Sequence, residues 1–243
     1  MGIVPTEKHQ PLTDMKDYVW IVYGPPKVGK TTLANQFPDT LFLATEPGTA
    51  AMEAAEMSIN SWSDFRNAVK ALKTEKYKWK TLVIDTIDNL YEYLVDEVCS
   101  SGGWDDLGDP GYGKGYKLAR RKLTNAIASL RKLDMTLIFI SHERREIEVD
   151  DNGKRTGVAL ITSALPGSAR KVLHGSADFI LRAELGTNGA RYLRTTPNKS
   201  ENEHIECGSR GELKSPMPEV LDLNYSALEG AFNKSFKPNN TEN

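Results

Sequence analysis

Cysteine is almost absent from this chain. Cys99 and Cys207 are the two in 243 residues, far apart and in no metal-like spacing, so neither a disulfide framework nor a zinc site is expected. An excess of either charge is missing too. The 33 acidic and 31 basic residues leave a net charge of −2, so contact with nucleic acid would need a local patch. Apolar runs stay strand-length, as at residues 137–140, whereas a membrane helix needs about 20 apolar residues in a row. Residues 1–17 are polar and hold no signal-peptide core. A cytoplasmic protein with no membrane partner is the expectation. Internal repeats and linker-like breaks in composition are lacking as well.

What is present alternates. Residues 18–23 (YVWIVY) read as a buried strand that ends at Gly-Pro-Pro, and residues 31–37 as a helix stopped by Pro38. Residues 41–44, 81–84 and 135–140 are further buried strands. Residues 63–72 have helical period, with Ser63 as the expected N-cap and Phe65, Val69 and Leu72 turned inward. A helix from the 81–84 strand to about Cys99 leads into a Gly- and Asp-rich loop over residues 100–115. A basic amphipathic helix follows, with Leu118, Leu123, Ile127 and Leu130 inward. Residues 145–149 and 157–161 flank an Asp-Asn-Gly turn, and residues 179–185 and 191–195 flank Asn188-Gly189, two hairpin signals. Residues 225–236 close the pattern as a helix. This order predicts an α/β fold with a mainly parallel sheet flanked by helices and extended by C-terminal antiparallel hairpins. The domain is expected over residues 17–236, between a flexible leader (1–16) and a flexible tail (237–243).

The most specific signal is Gly24-Pro25-Pro26-Lys27-Val28-Gly29-Lys30-Thr31, which matches G-x-x-x-x-G-K-[ST] at every fixed position between a strand and a helix. Such a loop binds phosphate through backbone N–H groups at a helix N-terminus. Pro25 and Pro26 have no N–H, so the donors are expected from Val28 to Thr32. Lys30 would reach the β- and γ-phosphates of ATP, and the Thr31 hydroxyl would ligate Mg²⁺. Asp85 ends a buried strand, where a carboxylate can hold the water shell of Mg²⁺. Many ATPases place a Glu directly after this Asp; here Thr86 stands there.

Glu46 ends the second strand, and the chain there resembles the RecA-like P-loop ATPases, whose catalytic Glu has that position. The resemblance implies Glu46 as general base; the alternative is a cap on the Pro47-Gly48 turn. His142 falls where RecA-like proteins keep a polar sensor of the γ-phosphate. A narrower resemblance is to phage-encoded Sak-type ATPases of single-strand annealing and recombination. It rests on the phosphate loop, Ser61-Trp62-Ser63-Asp64-Phe65, residues 81–85, Ile140-Ser141-His142-Glu143, Arg194-Thr195-Thr196-Pro197 and Gly208-Ser209-Arg210, spread over residues 18–232. It implies action on single-stranded DNA, assembly into a ring or filament, a single-strand-binding protein as a further partner, and the cytoplasm of a virus-infected bacterium. RecA-like proteins often carry a Lys-x-Arg pair that reaches a neighbouring subunit's nucleotide. Gly208 replaces that Lys, which leaves Arg210 as the candidate finger.

The resemblance also implies two DNA-binding loops. In residues 100–116 and just beyond, Trp104, Tyr112 and Tyr116 are interleaved with Lys114, Lys117, Arg120 and Arg121, which suits stacking plus phosphate neutralisation, although Asp105, Asp106 and Asp109 oppose it. Residues 144–170 supply Arg144, Arg145, Lys154 and Arg155. A solvated helix face and an ordinary surface hairpin are the plain alternative. Two other functions stay open: a nucleotide-switched assembly or helicase-loading factor that does not bind DNA, and a small-molecule kinase, for which no Arg-rich lid is visible.

Overall fold

The computed structural model describes residue 6 and residues 12–150, 152–210 and 216–236. The expected leader before residue 12, apart from residue 6, and the tail at 237–243 lie outside the described residues.

Strands with unbroken apolar runs end up buried on both faces, as a parallel sheet between helix layers requires. β1 (Val19–Gly24), β2 (Thr40–Ala44) and β4 (Thr81–Asp85) are buried throughout. β3 (Ala55–Ser58) adds a half-buried edge. β5 (Thr136–Val149) is buried only over its first part. β7 (Phe179–Leu185) and β8 (Arg191–Arg194) form the hairpin expected at Asn188-Gly189, and β12 (Val220–Asp222) pairs with β8. The strand order is β12-β8-β7-β1-β5-β4-β2-β3, parallel from β7 to β3. β5 therefore lies between β1, which leads into the phosphate loop, and β4, which ends in Asp85.

Side chains alternate between two cores. Val19 and Ile21 of β1 join Leu137 and Phe139 of β5 on one face; Trp20, Val22, Ile138 and Ile140 take the other. The first face is covered by α2 (Trp62–Thr74), α3 (Ile87–Gly102), α4 (Lys114–Leu130) and α5 (Gly167–Ser176). The second is covered by the short α1 (Lys30–Ala34) and by α6 (Tyr225–Phe236), whose Phe232 packs among Tyr18, Trp20 and Phe179. Met15 is buried and its carbonyl accepts from Trp20 Nε1, which ties the chain down ahead of β1.

Several local readings change. Ser61, not Ser63, caps α2: its hydroxyl accepts from the Asp64 N–H at 3.1 Å. Helix α3 runs on to Gly102, three residues past Cys99. The segments 135–140 and 145–149 are one strand, because β5 leaves the central sheet and continues into an antiparallel pairing with β6 (Arg155–Ser163), which β10 (Glu203–Ile205) joins in parallel after pairing with β9 (Asn198–Lys199). β3 and α5 carry weak signals, a four-residue edge and a Gly- and Ser-flanked helix, and appear only in the folded chain. Leu118 is half-buried, while Leu123, Ile127 and Leu130 are buried as expected. The whole is a RecA-like α/β core with antiparallel strands toward its C-terminal end.

Candidate functional site

The phosphate loop joins β1 to α1 at the C-terminal edge of the parallel sheet. Gly24 is required there by close approach, since a β-carbon would collide with the Ala183 carbonyl of β7. Lys27 (φ 64°) and Gly29 (φ 112°) take left-handed backbone, and Gly29 caps α1 with no side-chain hydrogen bond. The first N–H groups of α1 are thus left to a ligand rather than to a cap. Lys30 is buried, and its ammonium donates to the carbonyls of Gly24 and Pro25, each at 2.9 Å. Burial pulls its pKa down, against the opposing pull of Asp85, Asp88, Glu46 and Glu143.

Thr31 Oγ1 donates to Asp85 Oδ2 at 2.7 Å, so the two expected Mg²⁺ residues meet. Asp85 is buried, and its other oxygen, Oδ1, has no hydrogen-bond partner among the described residues. Burial pushes this carboxyl up to about 6. Gly48 lies beside the pair: a β-carbon there would sit 3.3 Å from Asp85 Oδ2 and 3.4 Å from Thr31 Oγ1. An orphaned carboxylate oxygen, a hydroxyl and a space kept free by glycine fit a hard, oxygen-binding divalent cation such as Mg²⁺.

Glu46 lines the same pocket, with Pro26, Lys27, Gly29, Thr32 and His142. β2 delivers it through Thr45, whose N–H donates to the Asp85 carbonyl at 2.7 Å and whose hydroxyl accepts from the Thr86 N–H at 2.8 Å. The Glu46 carboxylate accepts from Asn89 Nδ2 at 3.4 Å and stands 3.9 Å from His142 Nε2. His142 is in turn held by Asp88, which accepts from the His142 backbone N–H at 2.6 Å and from the Ser141 hydroxyl at 2.6 Å, and sits 3.2 Å from His142 Nδ1. This bond to Asp88 raises the pKa of His142 above its ordinary value, although burial opposes it.

Two residues that line the pocket, Gly48 and Arg191, and two that hold its side chains from behind, Asp88 and Asn89, have no motif to mark them. Asp88 lies in the first turn of α3, three residues past Asp85 at the end of β4, and Asn89 follows it; with Thr86 capping α3, that closeness in sequence was the one available signal. Gly48 looks like any turn glycine. Arg191, at the start of β8, reaches the pocket from the hairpin, with Nη1 3.3 Å from where a Gly29 β-carbon would be. It makes no ion pair among the described residues, unlike its neighbour Arg194, held by Glu184 and Glu219.

The remaining candidates lie elsewhere. Arg210 follows β11 (Gly208–Ser209), which pairs with the start of β7. Its N–H donates to the Asp178 carbonyl and its guanidinium to that of Gly175, at the opposite edge of the sheet from the phosphate loop of its own chain. Trp104 is half-buried against the core, its ring lying over Gly102, whereas Tyr112 is 95% exposed. Lys114, Lys117, Arg120 and Arg121 are exposed or nearly so along α4. In the β5–β6 hairpin, Arg144 pairs with Glu146 at 3.3 Å and Arg145 with Glu203 at 3.3 Å, while Lys154 and Arg155 are exposed. Asp151 lies outside the described residues. No described helix is long and apolar enough to cross a membrane.

No curated protein matches the chain. The family described as an AAA domain does, over residues 16–202, a span that holds the phosphate loop, Glu46, Asp85 and His142. With most of its length inside that match, the chain belongs to this AAA-domain family of P-loop ATPases.

Proposed function

We propose that this chain hydrolyses ATP with Mg²⁺ and acts on single-stranded DNA in recombination or strand annealing, as a Sak-type ATPase would. One observation carries the DNA half. β5 is a single strand of 14 residues that passes His142 beside the phosphate loop and continues into the β5–β6 hairpin, where Arg144, Arg145, Lys154 and Arg155 stand in sequence among Glu143, Glu146, Glu148, Asp150 and Asp151. A change at the nucleotide can therefore be felt where Arg144, Arg145, Lys154 and Arg155 would meet a phosphate backbone.

In this reading Lys30 and the N–H groups from Val28 to Thr32 bind and orient the phosphates. Thr31 and Asp85 would hold Mg²⁺, which supplies charge neutralisation between the phosphates when bound. Glu46 accepts the proton of the attacking water, and His142, anchored by Asp88, reports the γ-phosphate to β5. Arg191 adds a cation from the same chain. Arg210, remote from its own phosphate loop, would serve a neighbouring subunit's nucleotide, which calls for a ring or filament. A single-strand-binding protein is a further proposed partner.

Measuring ATP turnover with and without a single-stranded oligonucleotide tests the reading. Stimulation is expected. Turnover indifferent to DNA favours an assembly or loading factor, and a phosphorylated small-molecule product favours a kinase.

A further inference from the structure

A cleft of about 430 Å³ opens between α2 and α4 and shares no residue with the phosphate-loop pocket. That volume lies within the range of roughly 300–1,000 Å³ common among ligand sites. Two helical stripes face each other across it. Arg66, Lys70 and Lys73 follow one another at i, i+4 and i+7 on α2, and Lys122, Ala126 and Ser129 repeat the spacing on α4. Beneath them Trp62, Phe65 and Val69 make an apolar floor.

One carboxylate already bridges the walls. Glu97 of α3 has Oε1 3.6 Å from Arg66 Nη2 and 3.8 Å from Lys122 Nζ. Lys73 donates to the Ser129 hydroxyl from the opposite helix, and neither it nor Lys70 makes an ion pair among the described residues. Charge is thus unbalanced toward the cation, over a floor that can take an apolar group. We infer that the α2–α4 cleft docks an acidic peptide segment of a partner protein, with its carboxylates on Arg66, Lys70, Lys73 and Lys122 and one apolar side chain over Trp62 and Phe65. Single-stranded nucleic acid fits less well. Trp62 is 5% and Phe65 3% exposed, which leaves room for one apolar side chain to touch them beside Ala126 but no open ring face across which a base can stack.

The test is fluorescence anisotropy of the full chain with a labelled peptide of four aspartates ending in phenylalanine, at low ionic strength. Saturable binding is expected. It should weaken on the order of tenfold in Arg66→Glu/Lys70→Glu protein, and similarly when serine replaces the peptide's phenylalanine. Ala126→Trp fills the cleft without changing charge and should also block the peptide, which keeps the test open if the doubly reversed protein is unstable. ATP turnover, read in parallel, should be unaffected in both variants, since neither touches the phosphate-loop pocket. No saturable binding, or binding indifferent to both variants, overturns the inference. So does an oligothymidylate that takes the cleft more tightly than the peptide and loses affinity in the same variants.

Discussion

Arg191 and Gly29 meet across the mouth of the phosphate loop, the guanidinium 3.3 Å from where a glycine β-carbon would stand, although one residue opens β8 and the other caps α1. A cation held there by its own chain should bind the nucleotide's phosphates directly. Arg191→Ala should weaken ATP binding by about 1.5–3 kcal/mol, the worth of a charge-assisted hydrogen bond, without any dependence on protein concentration. Titration of a fluorescent ATP analogue checks it; unchanged affinity would remove Arg191 from the site.

Arg210 should behave differently, because its guanidinium caps Gly175 at the far edge of the sheet. Arg210→Ala should lose hydrolysis but keep nucleotide affinity. Mixing it with Lys30→Ala protein, each inactive alone, should restore part of the turnover if subunits share sites. No recovery at any ratio would argue for a purely local role.

Gly48→Ala tests the cation cradle with one carbon. The new methyl would crowd Thr31 Oγ1 and Asp85 Oδ2 at 3.4 Å and 3.3 Å, so the Mg²⁺ concentration for half-maximal turnover should rise several-fold. Asp85→Asn should raise it further, by the loss of a charge. A Gly48→Ala protein with wild-type Mg²⁺ dependence would contradict the assignment of Thr31 and Asp85.

Glu46→Gln should preserve nucleotide binding and cost on the order of 10²–10⁴-fold in the chemical step, as expected for a lost general base. Asp88→Asn acts one step away. Because Asp88 raises the His142 pKa, its neutral replacement should lower the His142 titration midpoint, followed by NMR of the ring protons. Should the midpoint stay put, Asp88 does not control His142.

Binding to single-stranded DNA should fall steeply with salt, at a log–log slope of roughly −0.7 per phosphate contact. Lys154→Glu and Arg155→Glu, both on exposed side chains, should flatten that slope. Tyr112→Ala should remove about 1–3 kcal/mol of stacking and leave the slope alone. Trp104→Ala should instead lower the melting temperature, because that ring packs against the core. Salt-insensitive binding, or none at low ionic strength, would retire the DNA half of the proposal.

The parts of the site that were legible are the contiguous ones. Gly24 to Thr31 is a motif because a phosphate nest needs consecutive N–H groups, and Asp85 shows itself as a carboxylate ending an apolar strand. The parallel core was legible for the same reason: doubly buried strands are continuous apolar runs. Gly48 and Arg191 were not, since nothing local distinguishes them; each gains its place from strands and turns that meet only on folding. The length of β5 was hidden because its pattern changes midway, from unbroken burial to an exposed alternation as the strand leaves the sheet. Trp104 shows how packing is hidden from a local reading. An aromatic in a charged loop suggests a stacking platform, but its neighbour Gly102 has no side chain to keep the ring off the protein.

Lys30→Ala is the most direct test of the account. With Mg²⁺, ATP and a single-stranded oligonucleotide present, phosphate release by this variant should fall at least on the order of 10²–10³-fold below wild type, because Lys30 is the one buried Lys or Arg among the described residues. Turnover close to wild type would contradict the assignment of the phosphate loop as the catalytic site.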